Sequence, residues 1–482
     1  MNLPNKDLLQ SGGFIDGQWV QGSAQFDVMN PARGAVIAQV ADLGGAETEQ
    51  AIAAADAAFK PWAALKAKER EAVLLRWHDL IMDNVEDLAQ IMTAEMGKPL
   101  AEARGEIGYG ASFVKWFAED GKRAYGDVIP NTVDNTRILV TKNPIGVCAA
   151  ITPWNFPSAM ITRKVAPALA AGCAVVIKPA AETPLSALAL AVLAKEAGIP
   201  DGVLNIVAGK KSSDIGKVMC ESDIVRKLSF TGSTKIGKIL MGQCAGTIKK
   251  VSLELGGNAP FIVFDDADIE AAVEGAIACK YRNAGQTCVC ANRIYVQDGI
   301  YDEFAEKYIA RAAQLTVGNG ADDGVYVGPM ITVAAMDKVK EHVADAAAQG
   351  GEIALGGDVH ELGHSFFQPT VIKNATKAMK VAREETFGPM AALFRFNDEA
   401  DVITQANDTN YGLASYFYAN DLGRVWRVAE ALEYGMVAVN TGILSTEVAP
   451  FGGIKESGIG REGSKYGLDD FMELKYILTG GL

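Results

Sequence analysis

The residues best suited to chemistry are Cys288, on the loop Gly285-Gln286-Thr287-Cys288, and Glu254, which opens Glu254-Leu255-Gly256-Gly257 34 positions upstream. A thiol on a glycine-bearing loop, with a carboxylate on a second glycine-rich turn, fits a nucleophile and its general base. A cysteine hydrolase would pair its thiol with an imidazole instead. The chain has four histidines, and none falls between His78 and His342, the span that holds both motifs. Thiolate and carboxylate chemistry follows, with another group taking up the electrons or the leaving group.

These residues need a scaffold, and the pattern around them supplies one. Residues 46–121 read as helices (46–59, 68–92 and 101–120). From 145 onward, short apolar runs at 147–151, 174–178, 204–207 and 227–230 alternate with helical stretches at 158–171, 186–197 and 212–220. Strands separated by helices at this spacing predict a parallel, doubly wound sheet. A second alternation follows Gly257, with strands at 261–263 and 293–296 about a helix over 269–282, and it continues to about Val439. Residues 136–142 alternate like an edge strand, and 466–478 read as a terminal strand region. Neither an internal repeat nor a low-complexity linker is read, so the domains should pack together.

At 482 residues the chain exceeds one ordinary core, and two or three domains are expected. A net charge of -14 argues against nucleic acid, which needs a basic footprint, and leaves any anionic substrate to local arginines. No apolar run approaches the ~18–20 residues of a membrane span. The start, Met1 to Lys6, lacks the charged and apolar stretches of a signal peptide. Seven scattered cysteines fit free thiols in a reducing cytosol better than a disulfide framework, and no metal site is read.

Two motif matches are decoys. Gly458-Ile459-Gly460-Arg461-Glu462-Gly463 fits the dinucleotide fingerprint, but the 19 residues after it leave no room for a βαβ unit. Gly232 to Lys238 nearly fits a triphosphate-binding loop, but Ile239 stands where magnesium needs a hydroxyl. Gly232-Ser233 still links a strand to a helix, a place for phosphate or simply for a helix cap. Lys178 ends a strand where open α/β sheets bind ligands. Asn155, between Pro153 and Pro157, can donate to an oxyanion or satisfy loop carbonyls.

Taken together, seven pieces resemble the aldehyde dehydrogenase superfamily in order and spacing. They are Pro153-Trp154-Asn155-Phe156-Pro157, Lys178-Pro179, Phe230-Thr231-Gly232-Ser233-Thr234, Glu254-Leu255-Gly256-Gly257, Gly285-Gln286-Thr287-Cys288, Glu384-Glu385-Thr386-Phe387-Gly388-Pro389 and Pro450-Phe451-Gly452-Gly453. The resemblance implies an α/β fold of two doubly wound parallel-sheet domains plus a small β oligomerisation domain. It assigns cofactor binding to 1–121 and 145–255, catalysis to 256–450, and assembly into dimers or tetramers to 122–144 and 464–482. It implies that Cys288 attacks an aldehyde, Asn155 holds the oxyanion, and Glu254 activates water to hydrolyse the thioester. It further implies that Trp154, Lys178, Ala181, Gly232, Ser233, Glu385 and Phe387 bind the cofactor.

Within the superfamily the chain is similar to bacterial succinate-semialdehyde dehydrogenases. The carriers are Ile161-Thr162-Arg163-Lys164, the Arg282 to Cys290 segment, Ser445, and Gly460 to Gly467. The likeness implies that Arg163, Arg282 and Ser445 bind a distal carboxylate. Without it, Arg163 also reads as a surface salt bridge and Arg282 as a helix-end charge. Ala181 stands where NAD-preferring relatives carry a glutamate that repels a 2′-phosphate, so the reading is NADP with NAD used as well; Glu182 weighs against it. Cys288-Val289-Cys290 reads either as a reversible disulfide pair or as a nucleophile beside a small buried residue. Glutarate semialdehyde stays open as the substrate, and a non-redox thiol hydrolase or acyltransferase as the competing class.

Overall fold

The computed structural model describes residues 3–481 and gathers the strands chiefly into two α/β sheets and a three-stranded β sheet. Runs that are apolar on both faces become buried parallel strands, because neither face can meet water. In the first sheet Val147–Ile151 lies between Ala174–Lys178 and Val225–Thr231. Leu204–Ile206 flanks the former and Lys250–Glu254 the latter, all five parallel. The chain therefore runs outward through three strands, returns, and runs outward the other way. That reversal opens a crevice at the carboxyl ends of Val147–Ile151 and Val225–Thr231, where such sheets take ligands. The 152–157 loop and Gly232-Ser233 follow directly from those two strands.

Antiparallel strands extend both edges of this sheet, Gly13–Ile15 with Gln18–Val20 at one and Gly458–Ile459 at the other. The sequence reading had no strand before residue 46. The signal was Asp16-Gly17, whose φ values of 50° and 71° make the left-handed turn that Asp-Gly favours in a two-residue hairpin.

The second sheet runs Glu352–Leu355, Thr370–Ala375, Met390–Phe396, Ala291–Gln297, Ala259–Val263, Ala414–Tyr418 and Met436–Val439, parallel except for the first. The third sheet corrects an expectation: Thr136–Pro144 is its centre, not its edge, paired with Asp127–Ile129 and over its full length with Met472–Gly480. The terminal region is also divided, since Ser464–Asp469 is helical before the strand begins. Leu468, Phe471 and Met472 join the core beneath the first sheet. The stretch expected as one helix over 68–92 breaks at Asn84 into Ala67–Asp83 and Val85–Met96. There Asn84 leaves the helical conformation at φ -107° and ψ 19°, and its Nδ2 donates to the Leu80 carbonyl.

Candidate active site

Cys288 sits between the helix Ile269–Tyr281 and the strand Ala291–Gln297. The intervening turn holds three successive left-handed residues: Asn283 at φ 53°, Ala284 at 54° and Gly285 at 74°. For the two with side chains that conformation costs roughly 1–3 kcal/mol each and persists only where neighbours fix it. Asn283 N–H donates to Glu102 at 2.8 Å, and its Nδ2 donates to the Asn155 carbonyl at 3.1 Å. Gln286 donates to Asn283 and Pro329 carbonyls and accepts from Ile331 N–H. The glycines permit close approach. A Cβ on Gly285 would stand 2.3 Å from the Gly388 oxygen, and one on Gly257 2.3 Å from the Cys288 oxygen.

The Asn155 amide donates to the Gln286 carbonyl at 3.0 Å. Both sequence readings of Asn155 are thereby compatible: one N–H anchors the amide, and the second remains for an oxyanion. Its loop is pinned from below. The buried Lys98 ammonium donates to the Asn155 carbonyl at 2.7 Å and pairs with Glu106 at 2.5 Å. Glu106 in turn accepts from Ser158 and Ala159 N–H, capping the helix Ala159–Ala171.

Glu254 closes its strand opposite Thr231, and neither carboxylate oxygen has a partner among the described residues. Gly452 makes room for it, because a Cβ there would stand 2.9 Å from Oε1. Burial, then the neighbouring Glu462, pushes the Glu254 carboxyl well above the usual range. Burial also pushes the Cys288 thiol up to about 12; Glu385 and Glu254 add to the rise, and Arg163 and Arg282 oppose it. Burial thus disfavours the charged form of both groups.

Trp154, Asn155, Arg163, Gly232, Ser233, Glu254, Arg282, Cys288, Glu385, Phe387 and Ser445 all line one cavity of about 590 Å³. Three candidates are not brought to its lining. Lys178 is buried at its strand end and donates to the Pro179 carbonyl, Ala181 is half-buried beyond it, and Cys290 turns its thiol onto the Lys280 and Ala291 carbonyls. Arg163 is no surface group. It is 2 % exposed, its Nε lies 2.5 Å from Glu462, and its guanidinium covers the Phe451 ring at 4.1 Å. Arg282 leaves the end of Ile269–Tyr281 and stands 5.6 Å from the Phe156 ring.

The residues match the family described as "Aldehyde dehydrogenase family" over 19–477. The chain belongs to the aldehyde dehydrogenase family. It is 60% identical to a 3-sulfolactaldehyde dehydrogenase of Pseudomonas putida, over 100% of this chain and 99% of that one. A glutarate-semialdehyde dehydrogenase of Pseudomonas aeruginosa and a succinate-semialdehyde dehydrogenase, NADP(+), of Escherichia coli are each 59% identical over the full length of both chains. A solved structure described as an E. coli NADP dependent enzyme superposes with a TM-score of 0.99 at 59% identity, covering 99% of this chain and 100% of that one.

An aldehyde dehydrogenase uses a nicotinamide dinucleotide, which when bound accepts a hydride. The residues here fit one. The helix Thr234–Cys244 turns its N-terminus, behind Gly232 and Ser233, to the cavity, offering N–H groups to a phosphate. Trp154 and Phe387 meet edge to face at 5.6 Å, an aromatic wall for a planar ring. Glu385 accepts from Gly257 N–H at 3.1 Å and keeps its other oxygen for hydroxyls, while burial raises it to about 7. Lys178 lies close enough to Glu182 to be influenced by its charge.

The sequence reading missed one wall of this aldehyde dehydrogenase's cavity. Glu102, Glu106 and Tyr109 enter from the helix Leu100–Asp120, at the i, i+4, i+7 spacing that puts them on one face. The available sign was three polar groups in register on a helix otherwise buried along that stripe.

Proposed function

We propose that this aldehyde dehydrogenase oxidises succinate semialdehyde to succinate, with NADP preferred and NAD also used. What carries the reading is the presence of Arg163 and Arg282 in the cavity of Cys288, near enough for both to act electrostatically on its sulfur. Guanidinium forks suit carboxylates, so a short aldehyde with a distal carboxylate would be oriented with its carbonyl at the thiol. Cys288 attacks that carbonyl, and the free N–H of Asn155 donates to the oxyanion. Glu254 then takes a proton from water, which hydrolyses the Cys288 thioester that would remain once a bound nicotinamide dinucleotide had accepted the hydride. Ala181 supports NADP by bringing no carboxylate toward a 2′-phosphate, and the NADP(+) relative points the same way.

A second reading is glutarate semialdehyde or 3-sulfolactaldehyde, favoured by the relatives so named. The test follows reduced nicotinamide with NADP and NAD against the three anionic aldehydes and butanal. The highest kcat/KM is expected for succinate semialdehyde with NADP. A higher value for either other anionic aldehyde transfers the assignment to it, and no preference over butanal removes the anion site.

For the assembly we propose a cofactor-binding domain (1–121 and 145–255), a catalytic domain (256–450) and an arm (122–144 and 464–482) that pairs with a second copy. Leu474, Tyr476 and Leu478 support this, being 71%, 61% and 55% exposed on alternate positions of Met472–Gly480.

A further inference from the structure

We propose that Tyr109 is a specificity-determining residue whose hydroxyl donates the fourth hydrogen bond to the substrate's distal carboxylate, beside Arg163, Arg282 and Ser445. The inference rests on the anion-binding reading above and deepens it. Among the buried donors on residues lining the cavity that lack a partner among the described residues are Tyr109 Oη and Arg163 Nη2. Unmet buried donors are rare in native folds, so a pair facing one space calls for an acceptor from outside the chain.

Geometry makes them neighbours. Gly110 lets the helices Leu100–Asp120 and Ala159–Ala171 approach, since a Cβ there would stand 3.3 Å from the Ala159 Cα. Tyr109 and Arg163 are thus brought together, and Phe113, one turn on from Tyr109, lies under the Arg163 guanidinium at 5.6 Å. Edge contact with Phe113 at 4.9 Å holds the Tyr109 ring. Ser445 lies near enough to the hydroxyl to act on it as a hydrogen-bonding neighbour, but the geometry leaves that bond incomplete, so the hydroxyl still has a donor to give. The Ser445 loop is fastened to the same helix, where Ser112 Oγ donates to Glu447. Arg163 and Arg282 both act electrostatically on the Tyr109 hydroxyl. A carboxylate offers about four acceptor positions, and two guanidinium groups with two hydroxyls match them.

Tyr109→Phe removes the hydroxyl and keeps the ring. For succinate semialdehyde, KM should rise about ten- to a hundredfold, the usual worth of a hydrogen bond to a charged group. The Ki of succinate as a competitive inhibitor should rise with it, while KM for butanal and for NADP stays within about twofold of wild type. Equal losses on butanal would overturn the proposal, because the ring and not the hydroxyl would then matter. Unchanged KM and Ki on both ligands would overturn it too, placing the hydroxyl out of reach. A wild-type enzyme that does not prefer succinate semialdehyde to butanal brings down the anion-site reading itself, and Tyr109 with it. Ser445→Ala gives a second measurement: combined with Tyr109→Phe it should lose less succinate affinity than the two single losses multiplied, as partners on one anion do. A full product of the two would count against a shared site.

Discussion

Arg282 and Arg163 reach one cavity from different elements, yet only Arg163 has a carboxylate pressed against its guanidinium, Glu462 at 2.5 Å. Arg282 is therefore the freer cation, and Arg282→Ala should lose about 2–5 kcal/mol in kcat/KM on succinate semialdehyde while sparing butanal. Equal losses on both substrates would remove it from the anion site. At the nucleophile, the thiol pushed up to about 12 has a thiolate fraction that grows with pH through the whole working range. Alkylation of the cofactor-free protein at Cys288 by iodoacetamide should accelerate about tenfold per unit from pH 8 to 10. A plateau below pH 9, read by mass of the modified peptide, would mean that the two guanidinium groups already hold the thiolate.

Lys98 and Glu106 show how elements far apart in the chain set the loop that carries Asn155. The pair is buried, with both side chains 1% exposed, and it joins the Asn155 carbonyl to the start of the helix Ala159–Ala171. Removing one partner of such a pair strands a buried charge, at a cost of about 3–5 kcal/mol. Lys98→Met and Glu106→Gln should each lower the urea midpoint, and the double variant should lower it by less than the two shifts combined. Additive shifts would show that the two groups do not support each other. The helix Leu100–Asp120 was legible as a helix from its spacing, but its work was not. That Glu106 caps one element while Tyr109 faces the cavity depends on where the helix Ala159–Ala171 lies.

Across the whole molecule, the strand Met472–Gly480 pairs with Thr136–Pro144 and leaves Leu474, Tyr476 and Leu478 open to solvent. Exposed apolar side chains on a strand are a surface awaiting a partner. Leu474→Asp with Tyr476→Asp should shift the protein toward monomer in light scattering coupled to size exclusion, with the far-UV spectrum unchanged. An unaltered mass would remove this strand as a contact between copies. Among the described residues no helix is long and apolar enough to cross a membrane.

The chemistry-bearing residues could be read from the sequence because their constraints are local. The glycines beside Cys288 and Glu254 are required by close backbone approach, and the strands Val147–Ile151 and Ala174–Lys178 by apolar runs buried on both faces. Order and spacing then carried the family. Tertiary structure alone decided which groups share a space. It brought Arg163 against Glu462, placed Tyr109 beside Ser445, and set Lys178 and Cys290 apart from the cavity lining. These outcomes depend on how helices pack and where loops return, distances of hundreds of residues that no local pattern encodes.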